Sequence, residues 1–140
     1  MIPLLIVFLA AGSWCGAIAF QSAFVAPAVF TELEMHSARL VLRRLFPRFF
    51  ALGIGLCASA LAAAPFLRVD AGLRRQTIII LAAMLIAIVA ALSLVPAINA
   101  ASDAGLQRRF RFLHGASVLL TLLSLAGAVT VIATLTSRFN

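Results

Sequence analysis

Residues 110–120 read Phe-Arg-Phe-Leu-His-Gly-Ala-Ser-Val-Leu-Leu, and in them a basic loop turns into a long apolar run. One histidine, His114, lies at that junction. After it, small and polar residues recur at spacings of three and four, which is the repeat of one α-helix face. These residues are Ser117, Thr121, Ser124 and Ala128. An unpaired hydroxyl is costly in hydrocarbon, so the polar stripe predicts a membrane helix whose polar face packs on other helices.

The composition places the whole chain in a membrane. Of its 140 residues, 64% are hydrophobic and only 11% are charged. All eleven basic residues are arginine, and the formal net charge is +7. The arginines flank apolar runs and form no groove with interleaved aromatic residues, which favours contact with anionic lipid head groups over nucleic acid.

Four apolar runs are each long enough to cross a hydrocarbon core, which takes roughly 20 residues. They cover about residues 2–30, 47–67, 77–98 and 104–136. Short loops join them, so the sequence predicts an all-α integral membrane protein, a four-span antiparallel helical bundle forming a single transmembrane domain over residues 1–140.

Prolines and caps predict where the helices begin and end. Pro47 suits a first helical position, so the basic connector before it is expected to be a short interfacial helix or the basic foot of the second span. Pro96 is expected to weaken or end the third run, and Ser102 or Asp103 to cap the last helix. In the first run, Gly12 and Gly16 form a G-x-x-x-G pair that predicts a helix-packing face.

The arginines also predict an orientation. The two loops on one side carry seven of them, Arg39, Arg43, Arg44, Arg48, Arg108, Arg109 and Arg111, and the other side carries four, Arg68, Arg74, Arg75 and Arg138. By the positive-inside rule the seven face the cytoplasm, where they would contact lipid head groups, and both termini lie outside. The expected location is the cell (inner) membrane.

Two histidines are candidate cofactor ligands. His36 and His114 both fall at the arginine-rich side, and if they met they would offer two axial ligands to a haem whose propionates pair with arginine. In the alternative, His114 hydrogen-bonds a neighbouring helix and His36 is solvated. Soft ligands for a metal are also present, namely Met35, His36, Cys15, Cys57 and Met84, but they show no ligand spacing, so no metal site is predicted.

Several short stretches resemble a known family. Residues 16–30, Leu45-Phe46-Pro47, and Phe112-Leu113-His114-Gly115-Ala116-Ser117 are similar to the transmembrane protein 205-like family, whose bacterial members are described as a domain of unknown function. This resemblance implies four spans and carries over no catalytic residue. A looser similarity of layout links the chain to four-helix haem-associated membrane proteins such as the bacterial membrane-type protoporphyrinogen oxidase, although this chain has no histidine in its first span and no lysine.

The sequence therefore favours a small non-enzymatic membrane protein that acts as a structural or accessory subunit, in a homo-oligomer or with other membrane subunits. One alternative is a haem- or soft-metal-handling protein that uses His114 and His36. Another is a small pore that uses the polar stripe of Ser117, Thr121 and Ser124. The spans contain no acidic residue, which is unlike an ion-coupled transporter.

Overall fold

The structure, a computed structural model, describes residues 1–137, so Arg138 lies outside the described residues. The helices form four continuous helical segments, called rods below. The first rod consists of α1 (Ile2–Phe20), a π-helical segment (Gln21–Val25) and α2 (Ala26–Glu32). The others are α3 (Met35–Ala63) with a 3₁₀ turn (Ala64–Phe66), α4 (Ala71–Asp103) and α5 (Gln107–Thr136). The described part of the chain has no strand, and all four rods are long and apolar enough to cross a membrane. The predicted all-α four-span fold is confirmed.

The four rods form a closed ring. Each packs against the next along the chain, and α5 packs back against α1. Consecutive rods run in opposite directions, so the α2–α3 and α4–α5 turns share one end of the bundle. That end carries the arginines of α3 and α5 and is called the arginine-rich end below. The other end contains the α3–α4 turn, the start of α1 and the end of α5, and is called the closed end.

The second helix begins earlier than Pro47 predicts. Helix α3 starts at Met35, and Pro47 lies inside it. Proline removes one backbone hydrogen bond from a helix, but packing against neighbouring helices tolerates this loss within a membrane bundle. Of the two predicted alternatives, the basic connector is therefore the foot of the second span, and Arg39 to Arg48 are helical.

The third helix is longer at both ends than expected. Asp70 caps its start, where one carboxylate oxygen accepts from the backbone N–H of Leu73 at 2.9 Å. Pro96 does not end the helix, which continues through Ser102 to Asp103. The prediction that Ser102 or Asp103 caps the last helix was wrong, because Gly105, at φ +66°, makes the turn and Leu106 occupies the cap position without a side-chain bond.

Trp14 lies at the centre of the bundle, with its side chain 1% exposed. Its indole N–H donates to Ser124 Oγ at 3.0 Å, which joins α1 to α5. On the other side it packs so closely on α3 that a Cβ added to Gly53 would lie 2.6 Å from the indole ring. Close helix approach thus occurs at Gly53. Within residues 1–137 the G-x-x-x-G pair packs on no helix, since Gly12 and Gly16 are exposed with nothing within 4 Å of an added Cβ.

Pro27, which comes shortly after the π-helical segment in the sequence, explains why this segment forms. The amide of Ala26 donates to the carbonyl of Gln21, a bond one residue wider than in an α-helix. Pro27 has no N–H, and its ring crowds the preceding turn, so a wider turn relieves the clash. Ser22, in this wide turn, and Ala26, directly after it, line a cavity at the arginine-rich end.

Candidate ligand cavity

A cavity of about 630 Å³ lies at the arginine-rich end, lined by side chains from all four rods. Its volume is in the range of about 300–1,000 Å³ typical of small-molecule sites. The outermost lining residues, including Phe30, Arg39 and Gln107, are exposed, so the cavity opens at that end. The arrangement is a pocket with an accessible mouth rather than a sealed void.

Polar and charged side chains form the mouth of the cavity. Arg39 and Arg43 come from successive turns of α3, and amide and hydroxyl groups come from the facing helices, namely Asn99, Ser102 and Gln107. The guanidinium of Arg43 donates to the carboxylate of Asp103, which joins α3 to α4 beside the mouth. Among the ion pairs of the described residues none involves Arg39.

Aromatic side chains form the deeper wall. Phe46, Phe49 and Phe50 all line the cavity from α3. The rings of Phe46 and Phe50 stack with centroids 6.3 Å apart, and Phe49 lies 4.9 Å from the ring of Trp14. Trp14 is therefore directly behind the cavity wall, at the depth where the bundle closes. Apolar side chains of the other rods complete this wall, namely Ile18, Val95 and Leu122.

The polar stripe of α5 divides between the cavity and the core. Ser117 and Thr121 line the cavity, whereas Ser124 is fully buried below it against Trp14. The hydroxyls of Thr121 and Ser124 also donate to carbonyls one turn earlier in α5, at 2.9 and 2.7 Å. Because each hydroxyl already has a backbone acceptor within α5, its burial among apolar side chains costs little free energy.

The two histidines do not share the cavity. His114 lines it, with an exposed ring that stacks on Phe110 at a centroid distance of 5.6 Å. His36 is exposed and is absent from the lining. Within residues 1–137 no group of three or more His, Cys, Asp or Glu side chains could hold a metal ion. Of the soft ligands, the thiol of Cys57 donates to the carbonyl of Leu81 at 3.2 Å.

The seven arginines of this end also differ in placement. Arg39 and Arg43 line the cavity, and Arg44, one residue further on, is exposed away from it. Arg48 is exposed too and donates to the backbone carbonyl of Arg44 at 3.2 Å. Three exposed arginines stand in the first turns of α5, namely Arg108, Arg109 and Arg111. These five are exposed and lie outside the cavity lining, and their predicted contact with lipid head groups stays a prediction.

Sequence reasoning missed the cavity, although part of its signal was present. Arg39, Arg43, Phe46 and Phe50 follow one another at spacings of four, three and four, which is one face of a helix. This face changes from cationic to aromatic toward the bundle centre. This change matches a wall that is polar at its mouth and apolar inside.

The fold and the cavity define a multi-pass membrane protein with a ligand-sized site at its arginine-rich end. Residues 9–107 match the family described as "Domain of unknown function (DUF4149)", and the chain belongs to this family. The match ends at the first residue of α5, so His114 and the polar stripe lie outside it. No curated protein and no solved structure matches the chain. The finer resemblance to the transmembrane protein 205-like family stays a prediction.

Proposed function

We propose that this protein binds an amphipathic small molecule in the cavity. The observation that carries the proposal is the division of one continuous cavity into a charged mouth, at Arg39 and Arg43, and an aromatic interior, at Phe46, Phe49 and Phe50. A polar head group suits the first part and an apolar body suits the second, because each would otherwise lose hydrogen bonds or expose apolar surface.

The depth of the cavity matches the layers of a bilayer. At a rise of about 1.5 Å per residue, Arg39 and Phe50 are separated along α3 by about 16 Å. The second span, Met35–Phe66, measures 32 residues, which exceeds the roughly 20 residues that cross the hydrocarbon core. Because the arginines precede the apolar part of α3, the arginine end would extend into the head-group region while Phe49 and Phe50 would lie in hydrocarbon. A ligand would lie parallel to the surrounding lipids.

A native mass spectrum tests the proposal. The protein is extracted from its own membrane in mild detergent, and the 14.8 kDa chain is expected to carry one added small-molecule mass. Ser117→Trp fills the cavity and should remove that mass, whereas Ser93→Trp, on an exposed face of α4, should keep it. A bare wild-type chain, or equal retention in both variants, would contradict the proposal.

A haem is the second candidate ligand, because His114, Arg39 and Arg43 line the same cavity. His114 would supply one axial imidazole, and the guanidinium groups of Arg39 and Arg43 would pair with the propionates, so His36 is not required. Haem binding predicts a Soret band that His114→Ala abolishes and that His36→Ala leaves intact. A colourless protein that retains another added mass would eliminate haem and leave the general proposal standing.

The earlier hypothesis of an accessory or oligomeric subunit stays a prediction. The exposed G-x-x-x-G pair supports it, because Gly12 and Gly16 offer a bare surface on which another helix can pack. Cross-linking in the native membrane should then capture larger species that Gly12→Leu with Gly16→Leu removes. The pore hypothesis also stays a prediction, with less support, since Trp14 and Ser124 meet directly below the cavity.

We further propose that the arginine-rich end faces the cytoplasm of the cell (inner) membrane. Seven arginines at one end support this orientation by the positive-inside rule. Arg44→Cys, in a chain that also carries Cys15→Ala and Cys57→Ser, should be protected from an impermeant thiol reagent in intact cells and labelled after lysis. Labelling in intact cells would reverse the orientation.

A further inference from the structure

We infer that the ligand is a lipid-type amphiphile with an anionic phosphate or carboxylate head group, and that Arg39 is the main contact of that group. This inference rests on the proposed function and adds the chemical class of the ligand. It follows from the charges at the mouth of the cavity, from the donors around them and from the position of the aromatic wall.

The charged side chains that line the cavity are all cationic. Arg39 and Arg43 line it, and no aspartate or glutamate among the described residues does so. Asp103 pairs with Arg43 from outside the lining, which compensates that charge. Arg39 has no carboxylate partner within residues 1–137, so a cationic head group would be repelled and an anionic one attracted.

Besides Arg39, the mouth of the cavity contains neutral hydrogen-bond donors that suit an anion. A guanidinium offers a planar fork that binds phosphate or carboxylate through two parallel bonds. The side-chain amides of Asn99 and Gln107 and the hydroxyl of Ser102 line the same mouth. These neutral groups can donate to the remaining oxygens of a head group. The salt bridge between Arg43 and Asp103 joins α3 to α4 beside this mouth.

The apolar chain of such a ligand would lie against Phe46, Phe49 and Phe50. Its inner end would then come close to Trp14, whose ring is 4.9 Å from that of Phe49. Trp14 is the only tryptophan of the chain, and it is buried from the lipid outside the bundle. Its fluorescence is therefore a reporter of the cavity, because bromine quenches indole emission only at short range.

The test compares two brominated amphiphiles that differ only in the head group. The full chain is placed in nanodiscs of zwitterionic lipid and titrated with a lysophosphatidic acid or with the monoacylglycerol of the same dibrominated acyl chain. The phosphate compound should quench Trp14 saturably and bind at least about tenfold more tightly, since a charge-assisted bond contributes roughly 1.5–3 kcal/mol. Arg39→Gln should remove this preference.

Arg44→Gln is the matched control, because Arg44 lies on the same helix but outside the cavity. It should keep the preference for phosphate, and Arg39→Lys should keep part of it. Arg43→Gln should have a smaller effect than Arg39→Gln, since Asp103 already compensates Arg43. Thermal unfolding of each variant in the same nanodiscs shows that a lost preference is not lost folding.

The outcomes separate the inference from the proposal beneath it. Saturable quenching of equal strength by both compounds, unchanged in Arg39→Gln, would overturn the anionic class and leave amphiphile binding intact. Quenching that rises without saturation for both compounds would report partition into bulk lipid only, and both the inference and the proposed function would fall. Preference for phosphate that survives in Arg39→Gln would overturn the role of Arg39.

Discussion

The two ends of the bundle are built from different side chains, and only one of them is closed. At the closed end, alanines bring α3 against its neighbours, and Ala60, Ala63 and Ala64 are all buried. At the arginine-rich end the same helix carries Phe46, Phe49 and Phe50 facing a cavity. One helix therefore takes part in close packing over one half of its length and lines a cavity over the other.

The size of the side chains explains this difference. Small residues let helix backbones approach closely, and in a membrane this contact replaces the hydrophobic effect as a source of stability. Bulky rings hold backbones apart, and the wide turn before Pro27 interrupts the regular α-helix of the first rod near the same cavity. The bundle thus has its rigid packing around Trp14 and Gly53 and its open volume above them.

The largest effect is expected where the packing is tightest. Gly53→Ala places a Cβ 2.6 Å from the indole of Trp14, and a rigid ring cannot give way as a flexible chain can. With two indole carbons this close to the added Cβ, the cost is expected at or above the upper end of the usual range for overpacking, about 3 kcal/mol of unfolding free energy. Gly55→Ala is the control, with nothing within 4 Å of its added Cβ. Equal unfolding in detergent for the two variants would break the comparison between the ends.

A smaller loss is expected at the hydrogen bond between α1 and α5. Ser124→Ala removes the acceptor of the Trp14 indole N–H and leaves that donor buried, which costs about 1–3 kcal/mol. The hydroxyl of Ser93 bonds only within its own helix and is exposed, so Ser93→Ala should cost much less. A double-mutant cycle of Trp14→Phe with Ser124→Ala measures the coupling, and additive losses would contradict a direct bond.

The smallest effect is expected at the mouth of the cavity. Asp103→Asn breaks the ion pair with Arg43. The side chain of Arg43 is 33% exposed and that of Asp103 is 58% exposed. Partly exposed pairs contribute no more than about 1 kcal/mol, and salt weakens them. Thermal unfolding should therefore shift little, while anionic amphiphile should bind more tightly because Arg43 is released. A large loss of stability would show that this end is as tightly packed as the other.

Hydropathy and helix period were enough to predict the four spans, the antiparallel order and the inward face of Ser117 and Ser124. They did not predict the helix ends, because helices α3 and α4 continue through Pro47 and Pro96 where neighbouring helices support them. They also could not distinguish Gly16, which faces outward, from Gly53, which packs on Trp14. In a membrane protein the lipid-facing and helix-facing sides are both apolar, so hydropathy indicates the helical repeat but not which face of a helix packs on other helices.

Two serines on one face of α5 give the most direct test of whether the arginine-rich end is open and the core beneath it is closed. Ser117 is 7% exposed and lines the cavity, whereas Ser124 is 0% exposed behind it. Each is replaced by cysteine in a chain carrying Cys15→Ala and Cys57→Ser, and the rate of labelling by a small water-soluble thiol reagent is measured in nanodiscs. The Ser117→Cys chain should be labelled, and amphiphile should protect it, while the Ser124→Cys chain stays unlabelled. Equal rates at the two positions, or no labelling at 117, would contradict the open cavity.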